Sequence, residues 1–214
     1  MVRIDPPPPL HPPSPTFHHL VSKSHLVRIF DPTDHGATAT GFRFYGPLRR
    51  FDHHRSFVLG PSLDPARGIY YAALSLEGCL VEVFGDVRVV EFRDYHVARP
   101  VLTRDLRLVD LRGNGAMRAG SVAALAKVAD YAHSQAWSRY FYEYEDIFTR
   151  ADGLIYFNAH NDDQSIALYE RAEDALVCSP EDVIRLDHPD LRPAIQDFGL
   201  RTGIGVAPGP RAIG

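Results

Sequence analysis

Hydrophobic positions change period along this chain, and each change marks an element. His25 to Phe30 reads as a short strand. Gly68 to Leu74 concentrates aromatic and apolar residues in a strand-like run. The period then becomes helical. Leu76, Cys79, Leu80, Val83 and Phe84 fall at i, i+3, i+4, i+7 and i+8, which is one helix face. Ser75 stands at the N-cap position, so Glu82 lies on this helix, near the flank of its apolar face.

Arg88 to Phe92 and Arg107 to Leu111 read as further strands. Ser121 to about Tyr144 reads as one long helix, with Val122, Leu125, Ala126, Ala129, Ala132 and Ala136 forming a small-residue face. Gly153–Phe157 and Ser165–Tyr169 read as two strands joined by the polar loop Asn161-Asp162-Asp163. Ser179-Pro180-Glu181-Asp182 has the order of a helix start: cap, proline, then acid near the positive helix end. Strands and helices mix without a regular βαβ alternation. The predicted class is a single α+β domain, not a doubly wound sheet.

Composition sets the limits of that domain. The 214 residues suit one domain with tails. Residues 1–15 carry seven of the 17 prolines, which predicts a Pro-rich disordered arm over residues 1–23. The folded body is expected over residues 24–200. A flexible Gly/Pro tail is expected over 201–214. No apolar run approaches the roughly 18 residues of a membrane helix, and no secretory signal pattern is present, so the expected compartment is the cytoplasm. A net charge of -4 gives no electrostatic reason to expect direct nucleic-acid contact.

Candidate chemistry narrows by elimination. Cys79 and Cys178 are too few and too far apart for a disulfide framework or thiolate zinc site. Cys79 lies on the apolar helix face, as a core residue does. Eleven histidines include the adjacent pairs His18-His19 and His53-His54, but neighbours in sequence do not share a face and no His-Glu-x-x-His exists. No metal is expected. The Gly113–Gly120 stretch lacks dinucleotide and P-loop spacing and reads as a connecting loop. Leu48-Arg49-Arg50-Phe51-Asp52-His53-His54-Arg55 gathers cations and backbone donors that suit a phosphate-bearing small ligand, or else a solvated turn.

Taken in order, these segments resemble the RES-domain family over roughly residues 25–180. The matching blocks are His25-Leu26-Val27-Arg28-Ile29-Phe30, then Leu48-Arg49-Arg50-Phe51-Asp52 with Arg49 where glycine is usual. Gly68-Ile69-Tyr70-Tyr71-Ala72-Ala73 follows, with Glu77, Cys79, Glu82, Val83 and Phe84. Leu108–Gly113, Ser134-Gln135-Ala136-Trp137, Asp152-Gly153-Leu154-Ile155-Tyr156 and Ala167–Arg171 complete the series.

The resemblance implies an ADP-ribosyltransferase-like mixed sheet with flanking helices and chemistry on NAD, as substrate. It implies a toxin paired with an Xre-type antitoxin that degrades NAD by hydrolysis or phosphorolysis of the nicotinamide–ribose bond. Two other expectations stay open: a protein ADP-ribosyltransferase, and an inactive nucleotide-binding or interaction module. Bond cleavage builds positive charge on the ribose. The resemblance assigns Glu82 to stabilise it, with Arg50 and Tyr71 as the other catalytic residues. Arg28, Arg49, Tyr70 and Asn158 are the NAD-binding residues. Tyr70 and Tyr71 are alternatives for one role, as are Arg49 and Arg50. Asn158 takes the place of the family's serine.

Overall fold

The computed structural model describes residues 3–34, 36–55 and 60–208. Its main body is a five-stranded mixed sheet in the order β1-β5-β6-β7-β3. The strands are β1 (Phe17–Leu20), β3 (Ile69–Ala73), β5 (Leu106–Asp110), β6 (Gly153–Phe157) and β7 (Gln164–Tyr169). Only β5 and β6 run parallel, and every other neighbouring pair is antiparallel. A smaller antiparallel sheet joins β2 (Arg28–Phe30), β4 (His96–Ala98) and β8 (Val183–Arg185) in the order β8-β4-β2. Val27 bridges to Ala73 and stitches the two sheets together. This is the α+β class expected from the sequence.

Both faces of the main sheet are buried. One packs Tyr70, Ala72, Ile155, Ile166 and Leu168 with Leu26 and Leu102. The other packs Tyr71, Leu154, Tyr156, Ala167 and Tyr169 against helix α2 (Tyr131–Glu143), which contributes Trp137, Tyr140 and Phe141. Alternate side chains of a strand point to opposite faces, so Tyr70 and Tyr71 part company. Helix α1 (Leu76–Phe84) starts directly off β3, capped by Ser75 Oγ on the Gly78 amide at 2.9 Å. It buries Cys79, Leu80, Val81 and Phe84. Helix α3 (Arg192–Thr202) closes the smaller sheet with Ile195 and Phe198.

Several predicted elements take a different form. The arm predicted to be disordered is docked. Its residues 17–20 are β1, Ser14 donates to the Arg118 carbonyl at 2.8 Å, and Trp137 Nε1 donates to the Asp5 carbonyl at 2.9 Å. Pro9 and Pro13 lie against Gly120, whose φ of +86° and missing Cβ admit them. The long helix predicted over 121–144 is broken. A 3₁₀ segment (Ala123–Lys127) ends in extended Val128, and α2 restarts where Asp130 caps the Ala132 amide. The Gly-rich loop contains a short helix, Asn114–Arg118.

Pro180–Asp182, expected to start a helix, is a single 3₁₀ turn leading into β8. Only Val89–Val90 of the predicted 88–92 strand is extended, and it pairs in parallel with Gly205–Val206 of the predicted tail. Residues 209–214 of that tail lie outside the described residues. Among the described residues no helix is long and apolar enough to cross a membrane.

Candidate active site

The site forms where the C-terminal half of α1 meets the end of the main sheet. Glu82 keeps contact with solvent, yet the protein crowding it disfavours the ionised form and raises its carboxyl pKa. Ser165, Arg50 and His160 oppose that rise, while Asp86 adds to it. Ser165 pairs across the sheet with Tyr156 and with Ala73. These three residues share the face that carries Tyr71. Tyr156 is 3% exposed, packs tilted against Phe51 with ring centroids 4.6 Å apart, and interacts electrostatically with both Glu82 and Arg50. Burial pushes the Tyr71 and Tyr156 phenols well above their usual range, so both remain neutral.

Arg50 arrives on a loop that is held from several sides. Its guanidinium lies over the Tyr131 ring at 4.9 Å and donates to the Val128 carbonyl. The anchor beneath it is Asp52, fully buried. Asp52 accepts both carboxylate bonds from Arg43, at 2.8 and 2.7 Å, and takes the Leu48 and Arg49 amides. Tyr71 OH also donates to Asp52, at 2.8 Å, and accepts from the Phe51 amide at 3.0 Å. Ser138 Oγ donates to the Phe51 carbonyl at 2.7 Å. The Leu48–Asp52 turn is therefore not a solvated turn. It is a rigid mount for Arg50, fixed to the sheet and to α2.

The predicted residues separate into groups. Glu82, Arg50 and Tyr71 come together on one sheet face. Arg28 and Tyr70 sit on the other, with the Arg28 guanidinium stacked 4.3 Å from the Tyr70 ring and bonded to the Gly41 carbonyl at 2.9 Å. Tyr70 OH donates to the Ala39 carbonyl at 2.8 Å. The Arg49 side chain is exposed, while its main chain binds Asp52 and Gln135. Asn158 is fully buried and shapes the loop after β6. Its Oδ1 accepts from the His160 and Asn161 amides, each at 2.9 Å. That loop carries His160 against Gly85, where a Cβ would come within 2.8 Å of the imidazole ring.

Sequence reasoning missed Ser165, Tyr156, Asp52 and His160 as members of this arrangement. Asp52 and Tyr156 stood inside matched blocks without a role, and only long-range pairing reveals their partners. Among the described residues no group of three His, Cys, Asp or Glu is placed to hold a metal ion.

A crowded carboxylate flanked by arginine, tyrosines and serine lies at the end of a mixed α+β sheet. The fold is similar to that of MbcT in the crystal structure of the M. tuberculosis MbcT–MbcA toxin–antitoxin complex. The match has a TM-score of 0.54 at 13% identity and covers 84% of this chain and 91% of that one. The RES domain model matches residues 18–191, and the chain belongs to the RES-domain family. No curated protein matches it in sequence.

Proposed function

We propose that this chain is the toxin of a toxin–antitoxin pair and degrades NAD by cleaving its nicotinamide–ribose bond. The observation that carries the reading is Glu82, a crowded carboxylate with Arg50 and Ser165 beside it and two neutral tyrosines adjoining. As the bond to nicotinamide lengthens, positive charge grows on the ribose. A carboxylate that protein surroundings hold partly out of water stabilises such charge more strongly than a solvated one. Nicotinamide leaves as a neutral group, so no strong general acid is needed.

Arg50, mounted on the Asp52 turn, supplies the cation for a pyrophosphate oxygen. Tyr71, locked by Asp52 and Phe51, presents a fixed aromatic edge for orientation. Arg49 is proposed as a further NAD-binding position, whereas Arg28 and Tyr70, on the opposite sheet face, and fully buried Asn158 are proposed to shape the site and not to touch NAD. The partner is an Xre-type antitoxin that covers the cleft, by analogy with the complex that the structural relative forms.

Nicotinamide release from NAD by the purified chain, with and without phosphate, tests this. The expected result is release that Glu82→Gln lowers at least a hundredfold with little loss of NAD binding. Phosphate dependence separates phosphorolysis from hydrolysis. Full activity in Glu82→Gln would overturn the assignment. Label transfer from NAD to a lysate protein, without free turnover, would favour the ADP-ribosyltransferase instead.

A further inference from the structure

We propose that Ser165 is a positioning residue for Glu82, its hydroxyl donating a hydrogen bond to the ionised carboxylate at the moment the reaction needs that charge. The proposal rests on the proposed function of this site in NAD cleavage. It departs from the expectation that residue 158 fills the serine role.

Three observations carry it. First, backbone geometry brings the two residues together. Ala73 ends β3 and is the cross-strand partner of Ser165. Helix α1 then folds back so that Gly78 packs on Ala73, where a Cβ would lie 3.1 Å from the alanine's Cβ. Glu82 is one turn beyond Gly78 on the same helix side, which sets it above the Ala73–Ser165–Tyr156 row.

Second, Ser165 is 1% exposed and its Oγ has no hydrogen-bond partner. Buried hydroxyls are nearly always bonded, and an exception calls for a reason. Alanine would fill the position without leaving an orphaned hydroxyl. Third, the side chain is close enough to Glu82 to favour its ionised form, although no bond of ordinary geometry is closed here. Asn158, by contrast, has spent its side chain on the His160 and Asn161 amides and on Asn161 Oδ1.

The other groups facing Glu82 are Arg50 from the Asp52 turn, His160 from the loop after β6, Asp86 beyond the end of α1, Tyr156 from β6 and the buried Cys79 thiol of α1. All are unchanged by a substitution at Ser165. The experiment follows the Glu82 carboxyl carbon by NMR in the full-length protein labelled at glutamate, with Glu82→Gln identifying its resonance. Ser165→Ala and Ser165→Thr are compared with the parent.

Losing the hydroxyl should move the Glu82 titration to higher pH, and threonine should restore it. Nicotinamide release by Ser165→Ala should show kcat lower by about tenfold, from loss of one charge-assisted bond. KM should stay within about twofold, and the acidic limb of the pH–rate profile should move with the NMR midpoint. An unmoved Glu82 titration overturns the proposal, as does a moved titration with kcat unchanged. If the parent chain releases no nicotinamide, the NMR comparison still decides the Ser165–Glu82 coupling. The failure then belongs to the NAD reading alone.

Discussion

Asp52→Asn is the sharpest test of the mount beneath Arg50. The change keeps the shape of the side chain but removes its charge and converts one acceptor oxygen to a donor. The native carboxylate accepts five hydrogen bonds, two of them from Arg43, and is fully buried. Breaking a buried ion pair from one side costs roughly 3–5 kcal/mol. The Arg43 side chain keeps 19% exposure and so regains some water, which places the cost at about 3 kcal/mol.

That is a large share of a domain stability of roughly 5–15 kcal/mol, yet leaves a folded protein. With a urea slope of about 2 kcal/mol per molar, the midpoint should fall by about 1.5 M. Trp137, the sole tryptophan, reports the transition through its fluorescence. Tyr71 OH bonds one carboxylate oxygen and the Leu48 and Arg49 amides the other, so the variant frees one of these two sets, and KM for NAD should rise more than kcat falls. A urea midpoint within about 0.3 M of the parent would refute the argument, because the buried ion pair and the bonds lost with it would then contribute almost nothing.

Burial lowers the His54 pKa to about 4, below the roughly 6.5 of an unfolded histidine. Its contribution to stability is complete above that unfolded value and is lost as pH falls from about 6.5 towards 4, by about 3 kcal/mol. His54→Gln should flatten the decline of the urea midpoint over this window, and an equal decline in the variant would remove His54 as its cause. Glu82 has the opposite sign. Its folded pKa is raised, so the ionised carboxylate weakens the fold above the unfolded value near 4.3. Glu82→Gln should therefore raise the melting temperature at pH 7 and lose that advantage below about pH 4; a lower melting temperature at pH 7 would contradict the crowding argument. Deleting residues 1–13 should uncover Trp137, shift its emission to the red and lower the melting temperature by several degrees. Unchanged emission would mean that the docked arm does not shield the indole.

Local signals made part of this molecule readable. The β3–α1 unit was legible because one short stretch holds strand composition, a serine cap and a helical apolar stripe together. The place of Glu82 on the helix followed from it, while its expected role came from the family resemblance. Arg50 and Tyr71 came from a family resemblance, and the residues that hold them did not. Asp52 binds Arg43 and Tyr71 across nine and 19 positions, and no periodicity encodes such a contact. Ser165 faces Glu82 only because the register of β7 on β3 pairs it with Ala73.

The N-terminal arm misled by composition. Proline richness signals disorder when no surface awaits the segment, but Trp137 and Gly120 provide one more than 100 residues later. The predicted 121–144 helix failed because small apolar residues fit a 3₁₀ turn equally well, and Asp130 restarts the helix.

The position of β1 has a consequence for how the chain is made. Phe17 pairs with Val109, and β3 has no strand partner within the main sheet until Gln164–Tyr169 exists. At a synthesis rate of about 5–20 residues per second, the first strand waits roughly 5–20 s for its neighbour to emerge from the ribosome. Throughout that interval Phe17, Leu20 and the proline arm form an exposed apolar leader. Whatever captures this leader early, chaperone or partner, acts before the arrangement around Glu82 can exist. The nascent chain thus passes a long stage in which it is synthesised but cannot yet act.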